Sequence, residues 1–474
     1  MALPGASLQV ETGPGCEISQ KPTKPGTSPS LPSEILLEIF AWACINPLNT
    51  WYTLDIPEGR TAAILSTVCH YWRGLVISTP SLWTSIRVFI PCNSTLQEIY
   101  SLVRLYLHMS GDKPLSVVWH CELDSPALLR RARLILSLLH DNCHRWEKAS
   151  ILMPVNEWKG LFSECSFDAL TFIEFTPLFN FLSTPRVIAP KLQAMGFRGE
   201  IQRWPQKLPG HLWGSLTSLH FTFRHFSPLI LPMLSASPAL KCLTLSSFTF
   251  PAKVTIEPAT SFLDTLTVIH VKSRDLVNLF RFLKTPRLRR LELYGQRSGC
   301  HQLSLEIAEV VRALKRNLET PSLLRELVLK GLEIGEVELV KALSTLSTLT
   351  SLTLYEVLPE DGAGTIGNDF LLGLTDFASL DRSRPCQKNL LLPNLEHLEL
   401  RAFVQKPGHC IKEGLVQMIR SRYHPHRDDI HEVPVTNCLR SIALSLAGQE
   451  SPNFIHELKD LREEGLKVIF FDSV

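Results

Sequence analysis

Apolar residues along most of this chain follow one short pattern, L-x-x-L-x-L, in which two positions alternate with polar neighbours and a third precedes them by one turn. It runs through Leu170-Ile173-Phe175, Leu192-Met195-Phe197, Leu216-Leu219-Phe221, Leu240-Leu243-Leu245, Leu263-Leu266-Val268 and Leu288-Leu291-Leu293. It continues through Leu324-Leu327-Leu329, Leu349-Leu352-Leu354, Leu395-Leu398-Leu400 and Leu439-Ile442-Leu444. The first six starts are 22 to 25 residues apart, and the later intervals are 36, 25, 46 and 44. Alternation over the last two positions predicts a short strand with one apolar face, and the leading leucine fills the turn that enters it.

Between the strands the period changes to that of a helix. The spacing predicts helices over Asp275–Lys284, Leu305–Leu318, Val337–Leu346 and Ile411–Ile419. The front of the array has the same rhythm: strand Ile86–Ile90, helix Thr95–Met109 with a Thr95/Glu98 capping box, strand Leu115–Trp119, helix Pro126–Leu139 and strand Ala149–Met153. Each strand–helix unit can bury its apolar face only against its neighbours. This arrangement resembles a leucine-rich-repeat horseshoe over residues 85–474, an α/β solenoid with parallel strands on the concave face and helices on the convex face. Longer insertions fall around 355–392 and 402–437.

The competing architecture is a doubly wound α/β domain, whose strands are apolar on both faces. Here the positions beside the leucines are polar: Arg290, Glu292 and Tyr294; Glu326 and Lys330; Ser351, Thr353 and Tyr355; His397, Glu399 and Arg401. Alternation of this kind favours the solenoid and predicts an open sheet face. Arg290, Glu292, Tyr294, Glu326, Lys330, Tyr355, His397, Glu399 and Arg401 are therefore candidate ligand contacts.

The N-terminal part has a different pattern. Leu31-Pro32-Ser33-Glu34-Ile35-Leu36-Leu37-Glu38-Ile39-Phe40 reads as a short helix with its proline at the start, where no N–H is needed. A second helix is expected from Ala62 to Ile77, carrying Val68, Cys69 and Trp72 and stopped by Thr79-Pro80, and Leu82 and Trp83 add a third apolar anchor. So few helices expose more apolar surface than they can bury against one another. The ordered combination L-P-x-E-I, V-C-x-x-W-R and S-x-L-W resembles an F-box, here a small helical module over residues 31–84. The Asn46–Arg60 connection is longer than the family pattern, which surface loops tolerate. The resemblance implies docking on the small adaptor subunit of SCF-type cullin–RING ubiquitin ligases. The residues matching the contact pattern are Leu31, Pro32, Ile35, Leu36, Ile39, Phe40, Val68, Cys69, Trp72, Leu82 and Trp83.

Residues 1–30, rich in Pro, Gly, Ser and Thr, are expected to form a disordered leader. Forty-eight basic and 46 acidic residues give a net charge of +2, which argues for neither nucleic acid nor a lipid surface as partner. No long apolar run or signal pattern suggests membrane insertion or secretion, and 12 scattered cysteines fit reduced thiols in cytoplasm or nucleus.

Three constellations hint at chemistry. Gly362-x-Gly364-x-x-Gly367 with Asp381 beyond fits a dinucleotide fingerprint, but Pro359-Glu360-Asp361 separates the glycines from the preceding strand, so a loop is the better reading. His140, Cys143 and His144 could offer metal ligands, as could His424, His426, Asp428, Asp429 and His431; both read better as solvated polar segments. No cofactor, metal or catalytic residue is therefore expected. The chain looks like a non-enzymatic F-box/leucine-rich-repeat substrate receptor similar to the fungal branch of that family, with an unidentified target protein on the solenoid. The alternative is a repeat scaffold or inhibitor whose N-terminal helices only cap the solenoid.

Overall fold

A computed structural model describes residues 31–44, 60–90, 96–121, 126–152, 166–175, 188–199, 214–222, 225–226, 230–235, 237–250, 258–270, 272–295, 307–316, 323–332, 334–356, 366–375, 390–403, 411–423, 438–447 and 452–470. The 1–30 leader, nearly all of the Asn46–Arg60 connection, Thr95, Gly362, Gly364, Asp381 and the polar cluster from His424 to His431 lie outside them.

The L-x-L strands line up in a single parallel sheet. Its members are β1 (Ser85–Ile90), β2 (Leu115–Cys121), β3 (Trp146–Leu152), β4 (Phe172–Phe175), β5 (Ala194–Arg198), β6 (Ser218–Thr222) and β7 (Cys242–Ser246). The rest are β8 (Thr265–Ile269), β9 (Arg290–Tyr294), β10 (Glu326–Leu332), β11 (Ser351–Glu356), β12 (His397–Phe403), β13 (Ser441–Ala447) and β14 (Lys467–Phe470). All 14 pair in chain order. A doubly wound sheet reverses its strand order at a switch point, and this one never does; the α/β arrangement is compatible with a solenoid-like fold.

Register turns the repeated leucines into continuous rows. One row runs Leu219, Leu243, Leu266, Leu291, Leu327, Leu352, Leu398 and Ile442, each directly paired with the next. The following apolar position makes a parallel row, in which Phe175, Phe197 and Phe221 lie edge-on and then stacked, with ring centroids 4.9 and 5.0 Å apart. These residues and the leading leucines are buried in one core that extends through the whole array.

Helices cover the leucine face. They include α4 (Leu96–Met109) and α5 (Pro126–His140) at the front, α6 (Ile230–Ser235), α7 (Ser273–Phe282), α8 (Ile307–Lys315), α9 (Glu336–Leu343), α10 (Asn368–Leu374), α11 (Ile411–Arg422) and α12 (Pro452–Glu463). From α7 onward each packs on the next. The helix expected to reach Lys284 ends at Phe282, because Leu283 and Lys284 pair instead with Ala259 and Thr260 in a two-residue ladder. Where the polypeptide turns between layers, buried polar side chains take up the backbone groups left over. Arg422 lies wholly inside and donates to the carbonyls of Leu374 (2.6 Å), Leu392 (2.7 Å) and Leu391 (2.5 Å). Buried Asp275 accepts the Phe250 N–H at 2.8 Å.

Among the described residues, three helices precede the sheet: α1 (Ser33–Cys44), α2 (Thr61–Val68) and α3 (His70–Ile77), followed by a 3₁₀ turn at Pro80–Trp83. The single helix expected over Ala62–Ile77 is thus broken. Cys69 is extended (φ −156°, ψ 169°), and its Sγ accepts the Trp72 N–H at 3.4 Å as the cap of α3. Arg73 Nε bonds back across the break to the Ser66 carbonyl at 2.9 Å.

Candidate functional site

The helical module has two faces. Leu36, Phe40, Val76, Leu82 and Trp83 are buried. Phe40 meets the half-buried Trp72 edge-on at 4.7 Å, and Trp83 donates through Nε1 to the Val76 carbonyl at 2.9 Å. Trp83 also packs edge-on against Tyr106 of α4, 4.9 Å away, so the first repeat's core continues into the module. Burial pushes the Tyr106 phenol up to about 12, against the stabilising pull of its bond to the Ala63 backbone.

The other face is open. Leu31, Ile35 and Ile39 are 51%, 45% and 49% exposed, and Trp42, one turn further along the same stripe of α1, is 84% exposed. Pro32, Val68 and Cys69 are exposed as well. Of the residues matching the F-box pattern, Leu31, Pro32, Ile35, Ile39, Val68 and Cys69 are accessible, Trp72 is partly so, and Leu36, Phe40, Leu82 and Trp83 support them from below. Trp42, Ile64, Tyr71 and Ile77 are exposed apolar residues that the motif did not single out. Trp42 was readable as the next position of the Leu31–Ile35–Ile39 stripe.

The candidate ligand contacts on the sheet also come together. In the row through the strand centres, Glu292 accepts from Arg290 Nε (2.7 Å) and Nη2 (2.6 Å, to Oε1), from Thr267 Oγ1 (3.0 Å) and from the Tyr294 hydroxyl (3.3 Å, to Oε2). Arg290 Nη1 reaches Glu326 at 2.6 Å. Partial burial opposes the charge on Arg290, yet Glu292 and Glu326 together hold its pKa above the ordinary arginine value. Glu399 accepts from the Tyr355 hydroxyl and from Thr353 Oγ1 at 3.4 Å. Burial, reinforced by Glu399, raises the Tyr355 phenol to about 12. His397 sits at the far side and shares a 2.7 Å hydrogen bond with Ser441 Oγ.

A second row, Tyr294–Lys330–Tyr355–Arg401, follows directly from the pairing of β9 to β12. It alternates rings and cations. Lys330 Nζ lies 4.1 Å from the Tyr355 ring centroid and 5.9 Å from that of Tyr294, and the Arg401 guanidinium lies 4.2 Å from Tyr355. Burial among these groups lowers the Lys330 pKa, opposed by Glu399 and Glu292. The register shifts between Lys330 and Leu332, where Gly331 adopts φ +66°.

The open face is not uniform. In β3 to β5 its central residues, Ser150, Glu174 and Gly196, are buried. Ser150 donates to Glu174 at 2.7 Å, and the Glu174 side chain lies across Gly196, where an added Cβ would stand 2.8 Å from Glu174 Cγ. Burial raises the Glu174 pKa, and it lowers that of His220, on the next strand, to about 4. Partly accessible open-face positions resume at β6, with Ser218, His220 and Thr222, and the candidate ligand contacts lie on β9 to β12.

Of the constellations hinting at chemistry, Gly367 occupies the N-cap position of α10. Glu336 fills the space beside it and accepts the Phe370 N–H at 2.8 Å, placing a carboxylate where a bound pyrophosphate would have to lie. His140 Nδ1 is 3.7 Å from Asp141, and Cys143 Sγ points to the Ser166 carbonyl at 3.7 Å. Among the described residues no three His, Cys, Asp or Glu side chains converge as metal ligands, and no helix is long and apolar enough to cross a membrane. In comparisons with known proteins, no protein-family model and no curated protein sequence matches the chain.

Proposed function

We propose that this chain is the non-catalytic substrate-recognition subunit of an SCF-type cullin–RING ubiquitin ligase. The α1–α3 module docks on the adaptor through an F-box-like surface, and the open face of the leucine-rich-repeat-like sheet holds a target protein. Ubiquitin transfer belongs to other subunits, and this chain contributes proximity and orientation. The observation that carries the reading is the open apolar stripe Leu31–Ile35–Ile39 beside exposed Pro32, Val68 and Cys69, supported by a separate buried layer. Contiguous exposed apolar surface of this kind marks protein interaction sites.

A second reading has its own support. Val76, Leu82, Trp83 and Tyr106 join the module to the first repeat, as an end cap would, so a scaffold or inhibitor capped by these helices is the alternative. The test is binding of the full-length chain to the purified SCF adaptor subunit, beside a Leu31→Ala/Pro32→Ala variant checked for unchanged thermal unfolding. Tight binding lost in the variant supports the receptor. No binding by the parent chain transfers the case to the scaffold.

A further inference from the structure

The hydrogen-bonding capacity of the polar face is unevenly used. Glu292 accepts from four donor groups of the protein itself, which fills a carboxylate's usual capacity. Glu399 holds two hydroxyl donors, and all three nitrogens of Arg290 are engaged by Glu292 and Glu326. Lys330 differs. Its ammonium is held between two tyrosine rings, no carboxylate among the described residues is ion-paired to it, and it keeps three N–H donors to offer. Although the surrounding formal charges balance, the capacity left over is cationic and donating, and it suits an anionic acceptor.

The backbone places this group with care. The bulge after Lys330 needs the positive φ of Gly331, and Gly295 packs so closely that it donates its N–H to the Lys330 carbonyl at 2.8 Å. Bulges of this kind re-aim a side chain. Tyr355 stands between Lys330 and Arg401 and orders both cations along one row.

We propose that the Tyr294–Lys330–Tyr355–Arg401 row is an anion-recognition subsite that takes an extended acidic peptide segment of the target, with two side-chain anions two residues apart, on the same face of that segment, meeting Lys330 and Arg401. The spacing follows from geometry. Lys330 Nζ and the Arg401 guanidinium lie 4.1 and 4.2 Å from the same Tyr355 ring centroid, so the two charged groups are at most about 8 Å apart. Residues i and i+2 of an extended chain point to the same side and lie about 7 Å apart. The shared chemistry is an anionic oxygen group on a peptide, whether carboxylate or phosphoryl. The inference rests on reading the open sheet face as the target surface, and it does not depend on adaptor docking.

The experiment is fluorescence polarisation with the full-length chain and three labelled peptides on one Gly/Ser background, carrying Glu-x-Glu, phosphoSer-x-phosphoSer or Gln-x-Gln. At least one acidic peptide is expected to bind more than about tenfold better than the Gln peptide, a preference that shrinks as salt rises from about 50 to about 300 mM. Lys330→Met, which keeps chain length and removes the charge, should abolish the preference at unchanged circular dichroism and thermal midpoint, and Lys330→Arg should retain it. Equal binding of Glu and phosphoSer peptides identifies carboxylate as sufficient; a phosphoSer-only response identifies phosphoryl. Binding no better than the Gln peptide by both acidic peptides, or a preference that persists in Lys330→Met, overturns the proposal. Adaptor binding is measured separately, so failure of the receptor reading leaves this result interpretable.

Discussion

Gly295→Ala tests the backbone approach on which the polar row depends. A Cβ built on Gly295 would stand 1.7 Å from the Gly331 carbonyl oxygen and 2.6 Å from its carbon. Both obstacles are backbone, so no side-chain rotation relieves them, and the end of β9 must move away from β10 by more than an ångström. That movement breaks the 2.8 Å bond from the Gly295 N–H to the Lys330 carbonyl. An unmade hydrogen bond plus a forced backbone shift costs about 2–4 kcal/mol. The assay is equilibrium urea unfolding of parent and variant. Gly74→Ala serves as control: this glycine lies inside α3 with nothing within 4 Å of an added Cβ. There the substitution should stabilise by about 1 kcal/mol through helix propensity alone. Because the bond that breaks ends on Lys330, Gly295→Ala should also weaken acidic-peptide binding. A Gly295→Ala chain as stable as its parent to within about 0.5 kcal/mol would refute the close approach, since no small relaxation absorbs such an overlap.

Two further outcomes follow from buried groups. Arg422→Met fills a similar volume but withdraws charged donors from the carbonyls of Leu374, Leu391 and Leu392. It should cost about 3–5 kcal/mol in urea unfolding, and a loss below about 1 kcal/mol would show that the carbonyls find other donors. His220 titrates at about 4 in the folded chain instead of 6.5, chiefly through burial with a contribution from Arg198. Between those values the unfolded chain takes up the proton and the folded chain does not, so stability falls as pH drops from 6.5 to 4, by about 3 kcal/mol. Glu174, whose pKa is raised, acts in the opposite sense, losing stability as pH rises, so the comparison must be with His220→Gln. A stability profile over that window unchanged by His220→Gln would contradict the assignment.

The repeat was legible because a strand with one buried face writes its period directly into the sequence. Aligning the ten motifs even fixes the register: Tyr294, Lys330, Tyr355 and Arg401 each follow the last apolar position of their motif, and they are neighbours in the sheet. What no single motif contains is the way adjacent strands use each other. Glu174 is buried because Gly196, on the next strand, leaves room for its side chain, so a position that alternation marks as exposed is covered. The break at Cys69 was equally hidden. Ile64, Leu65, Val68, Trp72, Leu75 and Val76 fit one helical stripe, and only the cap formed by the Cys69 thiol shows that the stripe belongs to two helices. Likewise the F-box-like residues read as one apolar set, although Leu36 and Phe40 face inward and Leu31, Ile35 and Ile39 outward.

That division bears on the choice between cap and docking module. The end of a solenoid must be closed because its last apolar layer has no neighbour, and a cap does this by turning an apolar face inward and a polar face outward. Val76, Leu82 and Trp83 meet the first requirement. The second is not met: Leu31 just before α1 and Ile35, Ile39 and Trp42 on it form an exposed apolar stripe, and α2 adds Ile64 and Val68. Closing the array does not call for such a surface, and each of these side chains forfeits in water the stabilisation that burial would bring. A module that seals the repeats from within and keeps an apolar stripe outside has one face more than capping needs, and that face is the one the proposed adaptor docking would use.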